Sequence, residues 1–452
     1  MELPSFSRVE ALESRIAPAT ITVDFSGGNL VLTGDNGDTA FSLEALDDTT
    51  FRLSGGPGTD FKLGSDPATS DLQLTGTIKS LSVTLGTGAD NFDILGLNVG
   101  GNISIDAGNG TNTLELVALN SKGSLDITGG DGTDDVILGT GAVIVKKNLN
   151  VDLGGGNDRF RSVCVLAQVG GNLTFNGGAD NDVVELVDGK LAVGRDAEFT
   201  FGAGNSTLTM QSGRIFVGKD FLFDSSETIA GQNSSLSMDA VILDVGGTLT
   251  YRDGAAASLA QNLLPASFSI NRFVAVTGAG NYSVGFNGQT DIRSIEVDAS
   301  EADGGAFSLN GTGSATPLTI NLTGGASGDT INLNRSGGKA LSITADLGAG
   351  SNQSNLSLIT AVVKGISITG GDGTDAVIGQ FTSTTVSAGI DLLNGNGENA
   401  TDLRFANVKM KGIVNVTNGS ASGNATLIEG KNTELGGIAY TCLLYTSPSP
   451  RD

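Results

Sequence analysis

Apolar and polar residues alternate with a period of two along most of the chain, in short runs separated by glycine-rich turns. GGNISIDA at 100–107, KGSLDITG at 122–129, KNLNVDLG at 147–154, GGNLTFNG at 170–177, GRDAEFTFG at 194–202 and KGISITGG at 364–371 are such runs. Each sends every second side chain to one face, as a strand buried on one side requires. Beyond the first twenty residues no stretch has the i, i+3, i+4, i+7 spacing of an amphipathic helix, and an all-β chain is predicted.

A second pattern, Gly-x-Gly-x-Asp/Asn, recurs about every 23 residues. Its second glycine falls at Gly88, Gly110, Gly132 and Gly156, then at Gly178 in an off-register copy and at Gly204. It returns at Gly350, Gly373 and Gly397. Each period thus holds two alternating strands, such as Leu173/Phe175 and Val184/Leu186, around a glycine-rich corner. One such unit cannot bury its apolar face alone, whereas stacked units share one core. The predicted fold is a parallel, right-handed β-solenoid, a β-helix of about 23-residue coils. Leu173, Phe175, Phe199, Phe201, Leu341, Ile343, Ile366 and Ile368 should point into its core. Coils are expected over 20–224 and 321–441. Between 225 and 320 the register weakens, and irregular coils or a lateral loop are expected there. Residues 20–70 carry weaker copies and should form the first coils, with a cap over the exposed edge.

Composition narrows the chemistry. The chain has no His and no Trp, which excludes Ser-His-Asp and Cys-His triads and His-ligated zinc, and removes the commonest platform for stacking on sugars. Its 25 Lys and Arg against 49 Asp and Glu give a net charge of −24. Nucleic acid is therefore excluded as a partner, since its phosphates would be repelled. No run of eighteen apolar residues occurs, so no membrane span is encoded. The N-terminus also lacks the apolar core of a secretory signal. Cys164, in SVCVLAQV, reads as a small core residue.

Both ends read differently from the coils. Residues 8–19, RVEALESRIAPA, with Leu12, Glu13, Arg15, Ala17 and Pro18, resemble the LExR-type N-terminal signature of exported planctomycete and verrucomicrobial proteins. Many of those are bacterial surface proteins built of β-strand repeats, so the resemblance implies that residues 1–19 serve export. Residues 442–452, CLLYTSPSPRD, resemble translated sequencing adapter. This tail is expected to pack against nothing, and the natural C-terminus to lie elsewhere.

GGDGTDDVIL at 129–138 and GGDGTDAVIG at 370–379 resemble the G-G-x-G-x-D-x-U-x nonapeptide of calcium-binding RTX proteins. Carried over position by position, the resemblance implies metal ligands at Asp90, Asp134, Asp158 and Asp375, with Asp182 in the off-register copy. Calcium takes six to eight oxygens. The departures are one copy per coil rather than tandem nonapeptides, and Asn112, Ser206, Asn352 or Asn399 where the family has Asp. Without an ion, these positions read as solvated corners.

The competing reading is a β-helix polysaccharide lyase or glycoside hydrolase, with Asp134/Asp135 and Asp180/Asp182 as the nearest paired carboxylates. Carboxylates spread one per coil without clustered Lys or Arg argue against it. Ice binding is weaker still, since the TLT at 207–209 stands alone. The expectation is a non-enzymatic, adhesin-like structural protein, extracellular or on the cell surface. Surface polysaccharide or a second copy of the chain would be its partner, and calcium its one candidate cofactor.

Overall fold

The computed structural model describes residues 18–442, apart from 230, 231, 233, 240, 255–257, 260–266, 289, 314 and 315. The described residues are all-β, and parallel coils roughly 24 residues apart stack into a β-solenoid. The N-terminal signature up to residue 17 and the tail from 443 lie outside the described residues. Cys442, at the head of that tail, ends the strand Gly437–Cys442 and pairs with Asn418.

One coil shows the plan. Strand Ile103–Asp106 runs to a glycine corner, strand Asn112–Val117 follows, and a short third strand, Asn120–Ser121, leads to the next coil at Leu125. Ile103 pairs in parallel with Leu125, Leu125 with Leu149, Leu149 with Leu173, and Leu173 with Ala197. On the second ladder Leu114, Val136, Phe160, Val184 and Leu208 follow each other in the same way. The third strand is an element that the alternation alone did not predict.

Alternation places the core. All eight residues expected inside are buried. Because coils stack in register, like residues meet like: Phe175, Phe199, Phe223 and Tyr251 stand opposite one another in successive coils. With Phe160 and Phe201 packed beside them, the rings of Phe160, Phe175, Phe201, Phe223 and Tyr251 follow one another at centroid distances of 5.7, 5.6, 5.2 and 5.1 Å. Such spacing lies in the favourable range for aromatic pairs.

Two corners have different chemistry. The glycine corner leaves no room for a side chain, since a Cβ on Gly132 would lie 1.9 Å from the Gly110 carbonyl oxygen of the coil below. After the second strand the chain turns on one residue in the left-handed region, filled by Ala118, Asp188, Ser212, Thr360, Ser383 or Asn407 in different coils.

Within 225–320 the strand Ile242–Asp253 fuses a third strand with the next first strand, and its register against Ser267–Thr277 shifts between Val245 and Thr248. Here the second ladder ends at Ser235–Asp239, and another parallel sheet runs from Ser258–Leu259 to Ala425–Lys431. At the other end, Asn29–Thr33 and Ala40–Ala45 lie parallel to the first full coil. Antiparallel hairpin partners, Ala19–Ser26 and Thr50–Gly55, fold against them.

Candidate functional site

The residue that follows Gly-x in the corner motif opens the second strand in the coils of Asn112 and Asp134 and stands immediately before it in those of Asp90, Asp158, Asp182 and Ser206. In the coil of Asp134 the burial pattern over Asp134–Leu138 alternates from the first position, so Asp134 shares the inward phase of Val136 and Leu138. Asp90, Asn112, Asp134, Asp158, Asp182 and Ser206 therefore form one column inside the rod, every member buried. A matching column of Asp329, Asn352, Asp375 and Asn399 stands in the later coils. Four of the five proposed ligand positions share the first column and Asp375 stands in the second, but none is a solvated corner. They face the interior.

The column does a specific job. At a tight corner the backbone N–H of the column residue needs an acceptor, and an unpaired buried N–H is costly. Each column residue donates its N–H to the side chain one coil on. Asp90 N donates to Asn112 Oδ1 at 3.1 Å, Asp134 N to Asp158 Oδ1 at 2.7 Å, Asp158 N to Asp182 Oδ1 at 3.1 Å and Asp182 N to Ser206 Oγ at 3.1 Å. The later coils repeat this, with Asp329 N donating to Asn352 Oδ1 at 2.9 Å and Asp375 N to Asn399 Oδ1 at 2.9 Å. Asp, Asn and Ser interchange because each supplies an acceptor of the right reach.

The second side-chain atom separates the members. Asn112 Nδ2 donates to the Gly108 carbonyl at 3.2 Å and to Asp134 Oδ1 at 2.8 Å, and Asn399 Nδ2 donates to the Gly395 carbonyl at 2.6 Å. Asp375 receives Asn352 Nδ2 on Oδ1 at 2.9 Å and the Gly395 N–H on Oδ2 at 3.0 Å. By contrast the Oδ2 atoms of Asp90, Asp158 and Asp182 are buried with no hydrogen-bond partner. Burial pushes the carboxyls of Asp90 and Asp134 above the ordinary range. It raises those of Asp158 and Asp182 to about 7, reinforced by the charge of the column neighbour one coil below, Asp134 or Asp158, and by that of Asp180. Asp329, which the corner motif missed, belongs to the set: its string GASGDTINL has Ser327 where the motif has glycine.

A calcium ion at Asp158 and Asp182 would find two carboxylate oxygens free of hydrogen bonds. The nearby Gly130, Gly154 and Gly178 carbonyls already accept cross-coil N–H bonds at 3.0, 3.1 and 2.7 Å. The rest of a six- to eight-oxygen shell would have to come from water. Among the described residues no three His, Cys, Asp or Glu side chains converge as a metal cluster.

The carboxylate pairs considered for hydrolysis do not converge. Asp134 and Asp182 point inward, while Asp180 is exposed and Asp135 lies on the outer face. That outer face does hold basic groups that linear spacing concealed: Arg159 pairs with Glu185 at 2.6 Å, Arg161 approaches it at 3.6 Å, and Asp135 sits opposite Arg159 in register. No protein-family model matches the chain, and no curated protein matches its sequence.

Proposed function

We propose that the chain is an adhesin-like structural rod of a bacterial cell surface, with extension and attachment as its task rather than turnover. One observation carries the reading: the aspartates that recur once per coil, the residues most suited to chemistry, are spent on capping the backbone of the neighbouring coil. A column used in this way welds coils together and leaves its carboxylates facing the core. The excess of acidic residues keeps such a rod soluble and apart from its copies.

Two measurements test it. Small-angle scattering of the purified chain should give an elongated particle. A membrane-impermeant biotin reagent should label the chain on intact producing cells, and labelling only after lysis would overturn the surface assignment. Turnover of a polysaccharide, lost on Asp135→Asn or Glu185→Gln, would replace the structural reading with an enzymatic one.

The unpartnered Oδ2 atoms of Asp158 and Asp182 favour a second, narrower reading, in which a calcium ion neutralises this pair when it is ionised. Asp158 and Asp182 would supply the carboxylate oxygens, and the ion would remove the repulsion between adjacent coils.

A further inference from the structure

The outer face of the later coils differs from the rest of the surface. From strand Asn281–Asn287 through Gly304–Thr312, Asp329–Ser336 and Gln353–Ile359 to Ala376–Thr382, no outward-facing side chain is charged; Asp329 and Arg335 point inward. In a chain of net charge −24 this is a marked local exception. The outer face of the earlier ladder, by comparison, presents Asp93, Glu115 and Glu185 in one register column and Asp135 and Arg159 in the next.

In place of charge the face carries amides and hydroxyls in register. Ser308 pairs with Asn332 and Asn332 with Asn355, while Asn310 pairs with Asn334 and Asn334 with Ser357. The amides are already oriented, for Asn355 Nδ2 donates to Asn332 Oδ1 at 2.8 Å and Asn310 Nδ2 to Asn287 Oδ1 at 3.1 Å. Each carboxamide has two donors and an oxygen with two lone pairs, so one cross-coil bond leaves it both a donor and acceptor capacity toward solvent. Ser308, Asn310, Asn332, Asn334, Asn355 and Ser357 line an open concavity of about 470 Å³ that crosses several coils, with Ile378 adding an apolar side chain.

We propose that this concave face binds a neutral polysaccharide along the rod axis. Four occupants can be compared by chemistry. A polyanion meets the long-range repulsion of an acidic protein, and a polycation finds no carboxylate here to pair with. A second copy of the chain fits poorly, because two concave faces opposed leave a void, and voids forfeit the contacts that stabilise an interface. A linear chain rich in hydroxyls, each both donor and acceptor, matches fixed amides that offer the same pair of functions. Pre-oriented amides also lose little freedom on binding, which favours affinity. This inference does not depend on the surface-rod reading, since a polysaccharide ligand is compatible with a rod on either side of the envelope.

Affinity electrophoresis through gels containing dextran, mannan, β-1,3-glucan or xylan tests it, with polygalacturonate as the charged control. At least one neutral gel should retard the chain, and polygalacturonate should not. Asn332→Ala with Asn355→Ala should weaken retardation at least ten-fold at unchanged melting temperature, whereas Thr209→Ala, on the outer face of the earlier ladder, should leave it unchanged. If the double variant does not fold, Asn334→Asp, a charge placed on an exposed side chain, serves instead. Retardation by no neutral polysaccharide overturns the proposal, as does undiminished binding by the folded variants. A concentration-dependent dimer in analytical ultracentrifugation that these substitutions abolish would assign the face to a second copy and overturn it too.

Discussion

Replacing Asp158 and Asp182 together by asparagine should stabilise the folded chain at pH 8 and leave it nearly unchanged at pH 4. The two carboxyls titrate near 7 in the fold, against an ordinary value of 3.8. Between those values the folded state holds protons that the unfolded chain has released, so stability falls as pH rises from about 4 to 7 and levels off above. The full difference corresponds to about 4 kcal/mol per group. Dielectric relaxation around the corner and the shared titration of neighbours reduce this, and about 2–3 kcal/mol for the pair is the working expectation. Asparagine keeps the Oδ1 acceptor that caps the coil below. Its Nδ2 can donate to a glycine carbonyl four residues earlier, as Asn112 and Asn399 do. The assay is thermal or urea unfolding followed by circular dichroism from pH 4 to 9. The melting temperature of the parent should drop by a few degrees across that range relative to the double variant. Asp90, raised by its own burial, tilts both proteins alike, whereas Asp134 is coupled to Asp158, so the difference reports the pair together with its effect on Asp134. Parallel pH profiles, or a double variant that is less stable at pH 8, would refute the reasoning.

Other outcomes follow from the same geometry. Millimolar Ca²⁺ added after chelation should raise the melting temperature at pH 8 more than at pH 5, where protons already neutralise the pair; equal values at pH 8 would leave the proton as sole neutraliser. Phe201→Ala should cost about 3–5 kcal/mol, since the ring is buried between Phe175 and Phe223, and a loss under about 1 kcal/mol would contradict the aromatic stack. Gly132→Ala should be at least as damaging despite adding only a methyl group, because φ is 139° and the Gly110 carbonyl occupies the space; a variant that unfolds at the parental urea midpoint would show that the corner can open.

Period-two alternation with a recurrent glycine corner was enough to read the stacked coils and their core from the chain itself. Phe175, Phe199 and Ile366 lie where their phase puts them. The orientation of the aspartates was also encoded, though less plainly. Asp134 stands two residues before Val136 and four before Leu138, in the inward phase, and following the alternation back across the corner would have turned it from solvent to core. Habit assigns a corner aspartate to water, and here the hydrogen-bond need of the next coil prevails. The second turn left no such trace. Ala118, Asp188, Thr360 and Asn407 share a backbone conformation but no side-chain property, so no composition rule could mark it. The uncharged outer face was equally hidden, because its unity is across coils: Asn332 and Asn355 are neighbours only once the register is known.

The cross-coil capping bonds bear on how such a gene can change length. Every coil offers the one below it the same acceptor that it takes from the one above. Excising residues 149–172 as a block would set Leu173 beside Leu125 and Asp182 beside Asp134, both ladders re-forming without a mismatched partner. A deletion of half that size would carry inward residues to the outside and orphan a corner N–H. Recombination between repeats can therefore shorten or lengthen the molecule only in whole coils, each step altering reach by one strand spacing, about 4.8 Å, so that inheritance works here like a ratchet with a fixed tooth.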